Sequence, residues 1–248
     1  MKILITAGGT AEKIDDVRRI TNSATGALGA MIANAFKADG QMHEITYICT
    51  EDAVRPDMSG VIICGDVNSV KEAVLSACSE TEYDVIVHSM AIGDYRVRAV
   101  SDSALITEKV IERLSGLACG DSSSPEEAVR DALLSPPEIK ENKISSEKED
   151  LIVVLEKAPK IISMLRGLAP NAMIVGFKLL SDVSEDELAR VGHALLVKND
   201  CDYVLANDLK TIKEGRHDGI LIARDGTYEN VYGKEEIAAL IVERSLNQ

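Results

Sequence analysis

The chain has 248 residues, with 41 acidic against 27 basic side chains, a formal net charge of −14 and a mean hydropathy near zero (+0.02). That balance argues against a surface built for nucleic acid or an anionic membrane, and no apolar run reaches the length of a membrane span. With two Phe, six Tyr and no Trp, the core has to come from Leu, Ile, Val and Ala, as in parallel α/β proteins. Five cysteines (Cys49, Cys64, Cys78, Cys119 and Cys201) are scattered without CxxC spacing. Together with a start that runs directly into a strand pattern, they point to reduced thiols in a cytoplasmic protein.

In chain order, Lys2-Ile3-Leu4-Ile5-Thr6 reads as a buried strand, followed by an Ala7-Gly8-Gly9-Thr10 turn. Residues 26–38 place Leu28, Met31, Ile32, Ala35 and Phe36 on one helical face, with Gly40 as a stop. Ile45–Cys49 and Val61–Cys64 read as short strands. Asn68 is the predicted cap of a helix to about Ser79, and Tyr83–His88 is another buried strand. Residues 99–150 break this rhythm with twelve acidic and six basic side chains. They contain an amphipathic helix with Leu105, Val110, Ile111, Leu114 and Leu117. A second helix follows, with Ser124 as cap, Pro125 at its first position and Glu127 closing a capping box. Asp121–Ser124 and Ser135-Pro136-Pro137 read as flexible joints, and residues 96–150 as an insertion within one domain spanning 1–248.

Alternation then resumes. Leu151–Leu155 is a predicted strand, Pro159 opens a helix, and Ala172–Val175 is a strand. Ser184 and Glu187 form a predicted capping box for a helix to about Lys198, ahead of the strand Tyr203-Val204-Leu205. In the tail, residues 208–232 form a hairpin element whose turn is Asp225-Gly226, and a last helix carries Ile237, Leu240 and Ile241. The whole reads as a Rossmann-like, doubly wound α/β fold with a mostly parallel sheet, a helical insertion and a carboxy-terminal β-hairpin or dimerisation element. Gly8-Gly9, Met90-Ala91, Gly176-Phe177 and Asn207 each follow a predicted strand. Loops at the carboxy ends of parallel strands share one sheet edge, where open α/β folds bind ligands.

The densest motif is the run from Thr6 through Gly29. It holds a glycine pair, Ile14-Asp15-Asp16-Val17-Arg18-Arg19-Ile20-Thr21-Asn22 and a glycine-spaced helix start, Gly26-Ala27-Leu28-Gly29. Glycines let backbone amides approach an anion, and a helix N-terminus adds unpaired N–H groups. This run closely resembles phosphopantothenoylcysteine synthetase, the ligase that joins 4'-phosphopantothenate to cysteine in coenzyme A biosynthesis. It departs from the family pattern at Ala24, where serine is usual. The resemblance continues in order through Met90-Ala91-Ile92-Gly93-Asp94-Tyr95, Lys143-Ile144, Gly176-Phe177-Lys178 and Ala206-Asn207-Asp208.

The resemblance implies a chemistry: a nucleoside triphosphate activates the phosphopantothenate carboxylate as an acyl-nucleotide, and the cysteine amine then displaces the nucleoside monophosphate. It makes Asn22, Arg18, Lys143 and Ala91 the candidate catalytic residues. Gly9, Gly26, Gly29, Phe177, Lys198 and Asn207 become candidates for the nucleotide, and Met90, Ala91 and Asp94 for phosphopantothenate. CTP is the expected co-substrate with ATP possible, Mg²⁺ enters only with the triphosphate, and a homodimer is expected, with Arg18 reaching the neighbouring site. Each assignment has a plainer competitor: Asn22 as a turn that caps the next helix, the glycines as turn and packing positions, Phe177 as core, and Lys143 and Lys198 as solvated cations. His88, at a strand end, is a further candidate for nucleotide contact. The four histidines share no ligand spacing, so no protein-built metal site is expected. A nicotinamide-dependent reductase would need a GxGxxG after the first strand, which is missing. A non-catalytic nucleotide sensor remains the other alternative.

Overall fold

Alternating β-rich and helical patterns become twelve strands and eight helices in the computed structural model, which describes residues 1–118 and 124–247. Cys119 and the predicted joint at Asp121-Ser122-Ser123 lie outside the described residues. The amino-terminal part contains β1 (Lys2–Ala7), β2 (Ala11–Lys13), β3 (Arg19–Thr21), α1 (Ala27–Ala38), β4 (Glu44–Thr50), β5 (Val61–Cys64), α2 (Val67–Glu80) and β6 (Val85–His88). The middle holds β7 (Tyr95–Ser101), α3 (Ser103–Ala118), α4 (Pro125–Leu134) and β8 (Ile152–Lys157). The remainder runs α5 (Ile162–Leu168), β9 (Met173–Leu180), α6 (Glu185–Asn199), β10 (Tyr203–Asp208), α7 (Leu209–Lys213), β11 (Gly219–Ala223), β12 (Tyr228–Val231) and α8 (Gly233–Leu246).

These elements form two compact units, where the sequence reading has one domain with an insertion at 96–150. The first comprises Met1–Thr10, Asn22–Ile92 and the chain from Pro159 onward; the second comprises Ala11–Thr21 and Gly93–Ala158. In the first unit one eight-stranded sheet runs in the order β12-β11-β10-β9-β6-β1-β4-β5. The six strands from β10 to β5 are parallel, while β11 and β12 add antiparallel at one edge. The chain builds outward from β1 to β4 and β5, then returns to β6 and proceeds through β9 to β10. The reversal between β1 and β6 is the topological switch of a doubly wound sheet. Helices α1 and α8 pack together on one face, and α2, α5 and α6 cover the other. Strands covered on both faces read as continuous apolar runs, and Ile3, Leu4, Ile5, Val85, Ile86 and Val87 are fully buried.

The second unit contains two small sheets, the β2–β3 hairpin and the antiparallel pair β7–β8, together with α3 and α4. The strand predicted at Leu151–Leu155 belongs here, paired with β7, and not in the parallel sheet. Its run Leu151–Leu155 is continuously apolar, like the doubly covered strands of the first unit, so the local pattern did not reveal β7 as its partner. The α3 face also differs from expectation: Ile106 is buried, whereas Ile111 is 59% and Leu114 39% exposed.

Local chemistry explains other boundaries. The cap of α2 is Asp66, not Asn68: its carboxylate accepts from the Ser69 N–H at 2.8 Å, and Ser69 Oγ accepts from the Asp66 N–H. Ser124, Pro125 and Glu127 open α4 as expected. Ser184 caps α6 through the Glu187 N–H, but the Glu187 carboxylate instead holds Arg190 at 2.6 and 2.7 Å. The Asp225-Gly226 turn joins β11 to β12, with Gly226 at φ 85°. That hairpin is paired to β10 of its own chain. No described helix is long and apolar enough to cross a membrane.

Candidate active site

The switch in the first unit brings together the loops after β1 and β6. The Ala91 N–H donates to the Gly8 carbonyl at 2.8 Å, and the Thr10 N–H donates to the Ala91 carbonyl at 3.1 Å, so the two loops continue the parallel ladder for one more step. Asn22 closes over this joint. Its backbone N–H donates to the Thr10 carbonyl at 3.3 Å, and its side-chain Nδ2 donates to the Ala91 carbonyl at 3.2 Å. The residue is exposed, so this planar amide is oriented at the surface of the switch. It does not cap α1, whose N-cap Gly26 has no side-chain cap bond.

The glycines have packing reasons of their own. A Cβ on Gly9 would sit 2.2 Å from the Asn22 carbonyl oxygen, and one on Gly29 would sit 2.6 Å from Ala7 Cβ and 2.8 Å from Ser89 Oγ. Gly26 has φ +72° and would place a Cβ 3.0 Å from the Gly8 nitrogen. The first turn of α1 is thereby laid directly against the β1 and β6 loops. It contains no acidic side chain, which keeps the positive end of the helix dipole unopposed there.

Beneath the loops, Thr6 is a hub that sequence reading missed. Its carbonyl accepts from the Ser89 N–H at 3.1 Å and Ser89 Oγ at 2.7 Å. Its Oγ1 lies 2.9 Å from His88 Nδ1 and 3.4 Å from the Met90 N–H. His88 is 5% exposed, and burial pushes its pKa down to about 4. It is therefore a neutral group inside the switch, with little surface to offer a nucleotide. Met90 is also buried, at 6% exposure, which leaves the backbone as its route of contact with a ligand.

Phe177 and Asn207 lie within strands, not in the loops after them. Gly176 is in register with His88, Phe177 pairs with Leu205, and Asn207 with Leu179, because β9 and β10 run on to Leu180 and Asp208. Phe177 is half-buried against the hydrophobic core. Asn207 is buried, and its Nδ2 donates to His217 Nε2 at 3.4 Å; burial and nearby Lys234 lower the His217 pKa. Asp208, overlooked as a functional position, ties the ends of both strands together. Its carboxylate accepts from the N–H groups of Lys210, Val183 and Asp182, which hold its pKa below the usual carboxylate range. Lys198 does not join this edge. It is exposed in the last turn of α6, just before β10 begins, and therefore lies at the opposite, amino edge of the sheet. The predicted order, a helix to about Lys198 followed by the strand Tyr203–Leu205, already implies that edge.

Arg18, Asp94 and Lys143 belong to the second unit. Here Asp15 organises the β2–β3 turn. Its side chain is fully buried, and burial opposes its ionisation, but N–H groups of Val17, Arg18 and Ile144 donate to the carboxylate at 2.8, 2.6 and 3.2 Å. These bonds, with Arg18, hold its pKa below the ordinary range. Arg18 reaches back to the Asp15 carboxylate at 3.5 Å and donates through Nη2 to the Ile144 carbonyl at 3.3 Å. The buried Ile144 thus fixes the backbone next to Lys143, which is itself exposed. The Asp94 carbonyl accepts from the Ala158 N–H at 3.0 Å. Among the described residues, no group of three or more His, Cys, Asp or Glu is placed to hold a metal ion.

Comparison with known proteins agrees with this architecture. The crystal structure of the DNA/pantothenate metabolism flavoprotein from Streptococcus pneumoniae is 32% identical, with a TM-score of 0.79 over 100% of this chain and 99% of that one. The coenzyme A biosynthesis bifunctional protein CoaBC of Thermococcus kodakarensis is 29% identical over 224 residues, 90% of this chain and 45% of that protein. The phosphopantothenate–cysteine ligase of Mus musculus is 26% identical over 265 residues, 98% of this chain and 83% of that protein. The chain spans about half the length of the first curated relatives it matches. The family model for the DNA/pantothenate metabolism flavoprotein C-terminal domain matches residues 1–113 and 128–247, and the chain belongs to that family.

Proposed function

We propose that this chain joins 4'-phosphopantothenate to L-cysteine in coenzyme A biosynthesis, with CTP as co-substrate and an acyl-cytidylate as intermediate. The observation that carries this reading is the match to the mouse phosphopantothenate–cysteine ligase, which covers nearly all of this chain and most of that protein. The switch geometry supports it. With Nδ2 donating to the Ala91 carbonyl, the planar Asn22 amide has a set orientation, and we assign that amide to the acyl oxygen of the intermediate. Donation there favours the negative charge that develops as the cysteine amine attacks. The first turn of α1 and the Gly9 and Gly26 backbone are assigned to nucleotide phosphates, and the Met90-Ala91 backbone and Asp94 to the phosphopantothenate arm. Lys143 supplies a local cation for the phosphoryl charge, which a protein of net charge −14 otherwise repels. Mg²⁺ enters with the triphosphate through its phosphate oxygens. The working form is assigned as a homodimer in the cytoplasm, with Arg18 serving the neighbouring site.

Omission of cysteine tests the order of steps. With phosphopantothenate, Mg²⁺ and CTP alone, the protein should release about one equivalent of pyrophosphate per site and retain an acyl-cytidylate visible by mass spectrometry. Continuous pyrophosphate release without phosphopantothenate would instead indicate a simple nucleotide hydrolase. A faster reaction with ATP would replace CTP in this reading.

A further inference from the structure

The second unit carries a half-buried guanidinium without a counter-charge. Arg98 lies in β7, and its Nη2 is buried with no hydrogen-bond partner. A buried donor left without a partner is costly and uncommon, so it marks either strain or the place of a ligand. Arg98 lines a cavity of about 780 Å³, within the range of small-molecule sites, whose wall also includes Arg113, Arg130, Asp131, Leu117 and Leu134.

The two carboxylates of this cavity are already engaged. Asp131 Oδ2 forms an ion pair with Arg113 at 2.7 Å, although without hydrogen-bond geometry, and Glu127 accepts from the Ser124 N–H at 2.8 Å in the α4 capping box. Neither Arg98 nor exposed Arg130 forms an ion pair with a described residue. A cavity of about 660 Å³ in the first unit offers the contrast. Its Arg166 and Arg224 are both held by Asp200 and Asp202, so their charges are met without a ligand. Leu117 and Glu127 fall in the stretch 114–127 that the family model does not match, whereas the other lining residues, Arg98 and Arg130 among them, lie within the matched stretches.

We propose that the cavity lined by β7, α3 and α4 binds a small anionic metabolite, with Arg98 and Arg130 holding a carboxylate or phosphate head and Leu117 and Leu134 receiving its apolar body. A guanidinium fork suits either oxyanion. Calorimetric titration with phenyl phosphate, benzoate and neutral benzyl alcohol, at matched ionic strength, tests this. At least one anion should bind saturably, and benzyl alcohol should bind at least about tenfold more weakly. Whichever anion binds more tightly identifies the head. Arg98→Met and Arg130→Gln should each weaken that anion about tenfold or more while leaving ligase turnover unchanged. Without ligand, Arg98→Met should melt above wild type, because a buried charge has been removed. The proposal is overturned if neither anion binds, if benzyl alcohol binds as well, or if both variants bind like wild type. Should Arg98→Met not fold, the exposed Arg130→Gln decides alone.

Discussion

In the first unit, six parallel strands are covered by helices on both faces, and the candidate residues are set by main-chain bonds at the switch. In the second, short antiparallel pairs and two helices leave Ile111, Leu114, Leu133 and Leu134 substantially exposed, and placement depends on a few polar contacts around Asp15. Asn22 belongs to the first setting, and Arg18 and Lys143 to the second. The contrast teaches how each should respond to mutation. A change beneath the switch alters folding and chemistry together, whereas an exposed second-unit side chain should affect chemistry alone.

The sharpest way to break the comparison is Asn22→Asp. It retains shape and exposure but replaces an N–H donor by a carboxylate that repels charge developing on the acyl oxygen. Ligation should fall by up to about 1,000-fold while pyrophosphate release continues and acyl-nucleotide accumulates. Loss of pyrophosphate release would move Asn22 to the first step. Lys143→Gln should act on that first step, slowing nucleotidyl transfer roughly 30- to 1,000-fold as one charge-assisted contact is lost. Its melting temperature should stay near wild type, because the side chain is exposed. A change below about threefold would place the catalytic cation elsewhere, with Lys140 and Lys148 next. Lys148 already pairs with Asp102 at 2.8 Å, which makes Lys140 the stronger of these.

His88 measures the opposite case, a group of the switch that works through stability. Its folded pKa of about 4 lies below an unfolded value near 6.5, so the unfolded chain binds the extra proton between those values. Stability should therefore be fully present above pH 6.5 and fall as the pH drops toward 4, by up to about 3 kcal/mol. His88→Gln should flatten that acid slope in denaturant titrations. An unchanged slope would assign the acid sensitivity to other groups. A smaller effect is expected from mixing inactive Arg18→Ala with inactive Asn22→Ala. If Arg18 serves the neighbouring subunit, re-equilibrated dimers should regain about a quarter of wild-type activity. No recovery would confine the site to one chain.

The parallel half of the fold was legible because strands covered on both faces leave long apolar runs, and glycines mark close approaches. The switch could be read from Gly8-Gly9 and Met90-Ala91 for the same reason. The second unit was not legible as a unit, because it is assembled from Ala11–Thr21 and Gly93–Ala158, and pairing between distant strands leaves no local pattern. Nor did sequence show Thr6 or Asp15 as hubs: a threonine inside a strand and an aspartate in a turn are ordinary until their partners are known. Lys198 lies at the amino edge of the sheet, away from the switch loops. The predicted order of that helix and the strand after it already implied this edge, but the assignment rested on motif position alone.

The ligase assignment is tested most directly by a balance of products from the purified chain given phosphopantothenate, cysteine, Mg²⁺ and CTP. Pyrophosphate, CMP and phosphopantothenoylcysteine should appear in equal amounts, and omission of any one substrate should stop phosphopantothenoylcysteine formation. A folded protein that forms no phosphopantothenoylcysteine with either CTP or ATP would contradict the assignment.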